Sequence, residues 1–252
     1  MHIIEERANI FRTQKDYSKK EIAKHYEKLA NFGLWQSEKY VFEKFVAKDA
    51  SVLDVGCGTG RTTFGLFDLG YKNILGVDIT KKYVKIAKRI AKKDGKQIPF
   101  EVGNVLALAF EDETFNAVLF SYNGLMTIPG AQNRKRAVSE IARVLKPNGV
   151  FVFTTHDREK DDRHLDFWKE EKLRWENGEQ DQKLVEFGDK IVEHAGDEVF
   201  LHFPTYKEVC ALVESVGFEV AYSKMRWDVC ATPEKERETF GECRFFVARK
   251  KG

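Results

Sequence analysis

The stretch Ser51-Val52-Leu53-Asp54-Val55-Gly56-Cys57-Gly58-Thr59-Gly60 constrains this chain more than any other. A short apolar run closes around an acid and enters a turn with glycine at every second position. Glycine tolerates positive φ and carries no Cβ, so such a turn brings main-chain N–H groups, not side chains, against a bound molecule. With an apolar strand before it and a helical pattern from Arg61 to Leu69 after it, the segment reads as a β-loop-α nucleotide site.

The spacing G-x-G-x-G is one residue tighter than the dinucleotide fingerprint, and the Gly-Lys-Ser/Thr of a phosphate-binding P-loop is missing. The next strand closes on Gly76-Val77-Asp78, at the position where a carboxylate accepts both ribose hydroxyl protons. An acid at a strand end also serves as a helix cap, a role for which Thr80 competes.

From Ser51 onward, strand patterns near Val52, Ile74–Val77, Pro99–Val102, Ala117–Phe120 and Val150–Phe153 alternate with helical patterns beginning at Arg61, Lys81 and Gln132. Gly70 and Pro147-Asn148-Gly149 punctuate two of these helices. Before this unit, Ser18-x-x-Glu21 is a capping box for a helix over Lys19–Ala30, and a second helix is expected over Gln36–Val46. After it, the rhythm breaks between about His156 and Phe203. A charged helix is expected over Leu165–Trp175, followed by a hairpin turning around Gly188-Asp189. Residues 157–198 carry 15 acids against 8 bases, so this insertion is acidic and the remainder basic. Thr205-x-x-Glu208 caps a helix that stops at Gly217, and Phe218–Tyr222 and Arg244–Ala248 read as two closing strands.

The expected architecture is a Rossmann-like, doubly wound α/β fold. It has a mostly parallel seven-stranded sheet, helices on both faces and an inserted cap after the fifth strand. Residues 1–50 form a helical lid, and residues 51–252 form the main domain with the cap at about 156–203.

The 252 residues hold 42 Lys and Arg against 40 Asp and Glu, a balance that argues against a nucleic-acid binder working by bulk charge. Cys57, Cys210, Cys230 and Cys243 form no C-x-x-C pair, so neither a zinc site nor a disulfide framework is expected. The first residues lack the pattern of a signal peptide and no run approaches a membrane span, which places the protein in the cytoplasm as an expectation.

Together these residues resemble the class I S-adenosylmethionine-dependent methyltransferases. Val52 to Arg61 matches that family's first motif, and Asp78 its acidic ribose-binding position. Gly103-Asn104-Val105 stands where the family has Gly-Asp-Ala, Phe115-Asn116-Ala117-Val118 where it has Phe-Asp and two apolar residues, and Leu145-Lys146-Pro147-Asn148-Gly149 before the fifth strand. The likeness covers about Ser51 to Thr155, and the helix after Pro204 also fits.

The resemblance implies S-adenosylmethionine as the cofactor. Gly56, Gly58 and Gly60 would pass beneath its methionine part, and Asp54 would hold the loop or the ammonium group, the alternative being a satisfied acid at the strand end. Arg61 is either a partner for the cofactor carboxylate or an exposed first-turn arginine. Ile79 would pack on adenine, and the Asn104 amide oxygen and Val105 N–H would bond its edge. Ser121 would bond the cofactor through its backbone.

On the acceptor side, Ser121-Tyr122-Asn123-Gly124 is not the Asp/Asn-Pro-Pro-Tyr arrangement of amino-methylating DNA enzymes. Tyr122 lines the acceptor pocket or fills core, and His156, next to Asp157, is a general base or simply opens the insertion. These two are the candidate catalytic residues. His202 is a weaker candidate of the same kind. Tyr26, with His25 and Trp35 in the lid, touches the methionine end or packs. The basic helix from Lys81 to Lys96 is a solvated face or the dock for a polyanion.

The expected activity is methyl transfer by in-line displacement to a small-molecule acceptor, in a monomer or homodimer without a metal. Methylation of tRNA or other RNA by the same core is the enzymatic alternative. A non-catalytic cofactor-binding module, motivated by Asn104, is the other.

Overall fold

Two helices, α1 (Lys20–Ala30) and α2 (Gln36–Phe45), lead into β1 (Val52–Val55). The chain continues through α3 (Arg61–Asp68), β2 (Ile74–Asp78), α4 (Lys81–Lys93), β3 (Phe100–Val102), β4 (Phe115–Phe120), α5 (Ala131–Val144) and β5 (Leu145–Thr155). Next come α6 (Leu165–Asn177), a hairpin of β6 (Asp189–His194) and β7 (Asp197–His202), and α7 (Tyr206–Glu214). The chain closes with β8 (Phe218–Met225), the short helices α8 (Arg226–Val229) and α9 (Glu234–Thr239), and β9 (Arg244–Lys250). This computed structural model describes residue 17, residues 19–160 and residues 164–252; the Ser18 cap lies outside the described residues.

The main sheet has seven strands in the order β3-β2-β1-β4-β5-β9-β8. The first five are parallel, β9 runs antiparallel to β5, and β8 antiparallel to β9. The chain builds outward from β1 to β3 and then returns to add β4 on the opposite side. The order therefore reverses between β1 and β4, and a crevice opens beyond their carboxyl ends.

Strand alternation sorts apolar side chains into two cores. Val52, Leu119, Val152 and Val247 face one way, beneath Phe42 of α2, Phe64 and Leu66 of α3, and Ala87 of α4. Leu53, Val118, Phe151 and Phe246 face the other, beneath Val138 and Ile141 of α5 and Val209 and Val213 of α7. Two-sided burial is what the near-continuous apolar strands imply. Thr205 accepts from Glu208 N (3.2 Å) while Glu208 accepts from Thr205 N (2.7 Å), so the capping box forms at the start of α7.

Two details differ from expectation. The hairpin turns at Ala195-Gly196, where φ is 53° and 82°, and not at Gly188-Asp189. The Asp189 carboxylate accepts from Val185 N and Glu186 N, folding the apolar run before it into a turn in place of a strand. Pro147-Asn148-Gly149 lies inside β5, at a register shift against β4, and does not separate helix from strand. Among the described residues, no helix is long and apolar enough to cross a membrane.

Candidate functional site

The three glycines of the β1–α3 loop all have positive φ, of 64°, 57° and 97°, but do different work. A Cβ on Gly56 would lie 2.6 Å from the Phe120 ring, and one on Gly60 2.6 Å from Phe64. On Gly58 it would meet only Tyr26, at 3.8 Å. The outer glycines are required by packing, while the middle one leaves backbone facing open space. Gly58 N donates to Asp78 Oδ2 (2.9 Å) and Thr80 N to Asp78 Oδ1 (2.7 Å), so the carboxylate at the end of β2 fixes the loop. Burial raises the Asp78 pKa, and each oxygen keeps acceptor capacity toward the cavity.

That cavity, about 1220 Å³ and open to solvent, fills the crevice beyond β1 and β4. Gly56, Gly58, Arg61, Asp78, Ile79, Asn104, Val105, Ser121 and Tyr122 line it. Asp54 and Gly60 do not. Asp54 lies behind the loop, away from the cavity and so from the cofactor's ammonium group, and is the satisfied strand-end acid of the alternative reading. It accepts from both Thr62 and Thr63 hydroxyls at 2.6 Å, and burial pushes its pKa up to about 7. Asn104 Oδ1 accepts from Leu106 N (3.0 Å), which shapes the turn after β3 and places Val105 on the wall.

Arg61 also departs from expectation, because its guanidinium is committed inside the protein. Both terminal nitrogens meet Glu38 at 2.7 Å in a bidentate pair, and Nη1 also reaches Gly33 O. Glu38 is 1% exposed and additionally accepts from Trp35 N and the Ser121 hydroxyl. One carboxylate thus ties the start of α2 to α3 and to the end of β4. Trp35 lies between two guanidinium groups, Arg61 at 4.8 Å and Arg226 at 4.1 Å. Sequence reasoning missed Glu38; its signal is an acid three residues into a helix, which reaches back to the N-cap N–H.

A second chamber, about 570 Å³, adjoins the first through a shared wall of Tyr17, Tyr26, Tyr122 and Thr127. Tyr122 and Asn123 both adopt left-handed backbone (φ 52° and 59°), an unusual conformation for such residues and one that clusters at functional sites. Asn123 N donates to Thr154 Oγ1 (3.0 Å), which pins this bend to β5. His156 lines the second chamber, not the first. Its Nδ1 lies 3.2 Å from the carbonyl of Glu242, an obligate acceptor, so Nδ1 carries the proton. Nε2 is then an acceptor and receives Asn123 Nδ2 at 3.1 Å.

Helix α1 roofs both chambers through Tyr26, which lines each of them. Thr59 donates to Tyr26 O (2.6 Å), Lys19 pairs with Asp197 (3.0 Å), and the His25 ring stands edge-on to His194 at 5.0 Å. Burial lowers the pKa of both histidines, with nearby Lys28 adding to His25 and His25 adding to His194.

His202 lines neither chamber. It pairs with Asp189 (2.8 Å) beside Glu186, the one grouping of possible metal-ligand side chains found among the described residues. Asp189 already accepts two backbone bonds there and Glu186 pairs with Arg134, so these groups bind the hairpin to the body.

A methyltransferase-domain family model matches residues 52–149. An uncharacterized protein of Methanocaldococcus jannaschii is 31% identical over 216 residues, 83% of this chain and 77% of that protein. A demethylmenaquinone methyltransferase of Lactococcus lactis is 39% identical over 111 residues, 42% of each chain, so this chain spans less than half of that relative's length. Among solved structures, a SAM-dependent methyltransferase of Methanosarcina mazei superposes with a TM-score of 0.69 at 24% identity, covering 87% of this chain and 99% of that one.

Proposed function

The chain belongs to the class I S-adenosylmethionine-dependent methyltransferase family, and on that premise we propose that it methylates a small molecule held in the second chamber. The observation that carries this reading is the shared tyrosine wall, which sets an acceptor chamber directly against the cofactor cavity. The residues present suit the cofactor. The Gly58 backbone is open to the cavity, Asp78 offers acceptor capacity at the end of β2, and Ile79, Val105 and Ile128 supply an apolar slot. Bound S-adenosylmethionine supplies an electrophilic methyl on a sulfonium, already activated for in-line displacement.

The protein's part is alignment and water exclusion. Tyr26 and Tyr122 present aromatic rings at the junction, where a cation is favoured. The Tyr122-Asn123 bend holds the acceptor side of that junction in place. Where the acceptor arrives protonated, His156 Nε2 would take that proton once the Asn123 amide, which donates to this nitrogen, swings aside. Arg61, paired with Glu38, acts as a brace. Relatives that carry the demethylmenaquinone methyltransferase name support a small-molecule acceptor over RNA, as does the acidic insertion whose hairpin forms part of the chamber wall.

Calorimetry with S-adenosylhomocysteine tests the cofactor half. Asp78→Ala is expected to bind at least tenfold more weakly than wild type, since a charge-assisted bond is lost. Tritium from methyl-labelled cofactor should enter a small-molecule fraction of a cell extract; label confined to tRNA would assign the RNA alternative instead.

A further inference from the structure

We propose that the second chamber selects an uncharged ring compound bearing both a carbonyl oxygen and a hydroxyl, with Trp35 and Asn123 as its specificity-determining residues. The inference rests on the methyltransferase reading and names its acceptor class.

Three observations converge. The first is charge. Among the described residues, no Asp, Glu, Lys or Arg lines the chamber. Burial raises the pKa of the Cys243 thiol and keeps it protonated, and burial with His25 nearby holds His194 toward its neutral form. A carboxylate or phosphate placed there would be desolvated with no counter-charge from the chamber's own lining, so anionic acceptors are rejected.

The second is shape. Trp35, Tyr122 and Phe240 contact one another with centroids 5.1–5.8 Å apart and interplanar angles of 59–88°. Rings set edge to face in this way offer further rings the same geometry.

The third is an unmet set of hydrogen bonds. Trp35 Nε1, Asn123 Oδ1 and His194 Nε2 are all buried without a hydrogen-bond partner, and all three residues line this one chamber. Trp35 is itself 1% exposed. Native proteins leave few buried polar atoms unpaired, so three around one cavity point to a ligand. For two of the three, Trp35 and Asn123, the chemistry is specified. An indole N–H can only donate. The Nδ1-protonated His156 takes the Asn123 amide N–H, so the oxygen of that amide faces away from it and only accepts. A neutral ligand satisfying both brings one acceptor and one donor, the pair that a ring carbonyl and a ring hydroxyl supply.

The test is calorimetry on protein loaded with S-adenosylhomocysteine, using five probes. 3- and 4-hydroxyacetophenone carry both groups, 4-ethylphenol lacks the carbonyl, acetophenone lacks the hydroxyl, and 4-hydroxybenzoate adds a charge. The better hydroxyacetophenone is expected to bind at least tenfold tighter than either deletion probe and at least a hundredfold tighter than 4-hydroxybenzoate. In Trp35→Phe its advantage over 4-ethylphenol should fall below threefold. Asn123→Gly, which suits φ 59°, should likewise erase the advantage over acetophenone. Binding of 4-hydroxybenzoate as tight as the ketones, binding of no neutral probe, or variants that keep the wild-type preferences would each overturn the proposal. Failure to take up S-adenosylhomocysteine at all would instead overturn the methyltransferase reading.

Discussion

A carboxyl group buried behind the glycine loop makes part of this protein's stability depend on pH in an unusual direction. Asp54 has a folded pKa near 7 against an ordinary value of 3.8, because burial disfavours its charged form. Between those values the folded chain holds a proton that the unfolded chain releases, so the group's contribution to stability falls as pH rises from about 4 through 7. Both threonine hydroxyls donate to the same oxygen, Oδ2, so an asparagine can keep them. Asp54→Asn is therefore expected to gain on wild type by up to about 4 kcal/mol between pH 4 and pH 8, in urea unfolding at several pH values. A difference that does not vary with pH would refute the assignment. The positions of Gly56, Gly58 and Asp78 were legible in the sequence because each meets a local backbone demand. The partners of Asp54 were not, since Thr62 and Thr63 come within its reach only once α3 has turned back over β1.

At the level of elements, the start of α2 is fastened to the cofactor loop by one ion pair. Glu38→Ala would leave the Arg61 charge buried and unpaired, and a loss of about 3–5 kcal/mol is expected in denaturant unfolding. The double variant Glu38→Ala, Arg61→Ala should lose clearly less than the sum of the two single losses, because the groups are directly coupled. Additive losses would mean that the pair carries no coupling. Periodicity located α2, α5 and α7 well, since a buried stripe or a capping box marks each one. It failed at the hairpin, where the apolar run Leu184–Phe187 looks like a strand but is curled by Asp189, a residue that follows it. Glu38 showed only as a first-turn acid, because its partner Arg61 lies 23 residues on, in a helix packed on the same face of the sheet.

For the whole molecule, the mostly parallel seven-stranded sheet and the cofactor crevice followed from the alternation of strands and helices and from one family motif. The second chamber did not, because it is assembled from distant segments: Trp35 before α2, His156 after β5, His194 in the hairpin, and Phe240 and Cys243 near the end of the chain. No local pattern announces such a convergence. One consequence concerns timing. Since α1 roofs both chambers and is tied to the hairpin through Lys19–Asp197 and His25–His194, one movement of that roof widens the way out of both. Turnover should then be paced by a large segment moving through solvent, not by bond-making. We expect kcat to fall in near-inverse proportion to relative viscosity in sucrose, with Lys19→Ala both raising kcat and flattening that dependence; a kcat indifferent to viscosity would show that the roof opens faster than methyl transfer occurs.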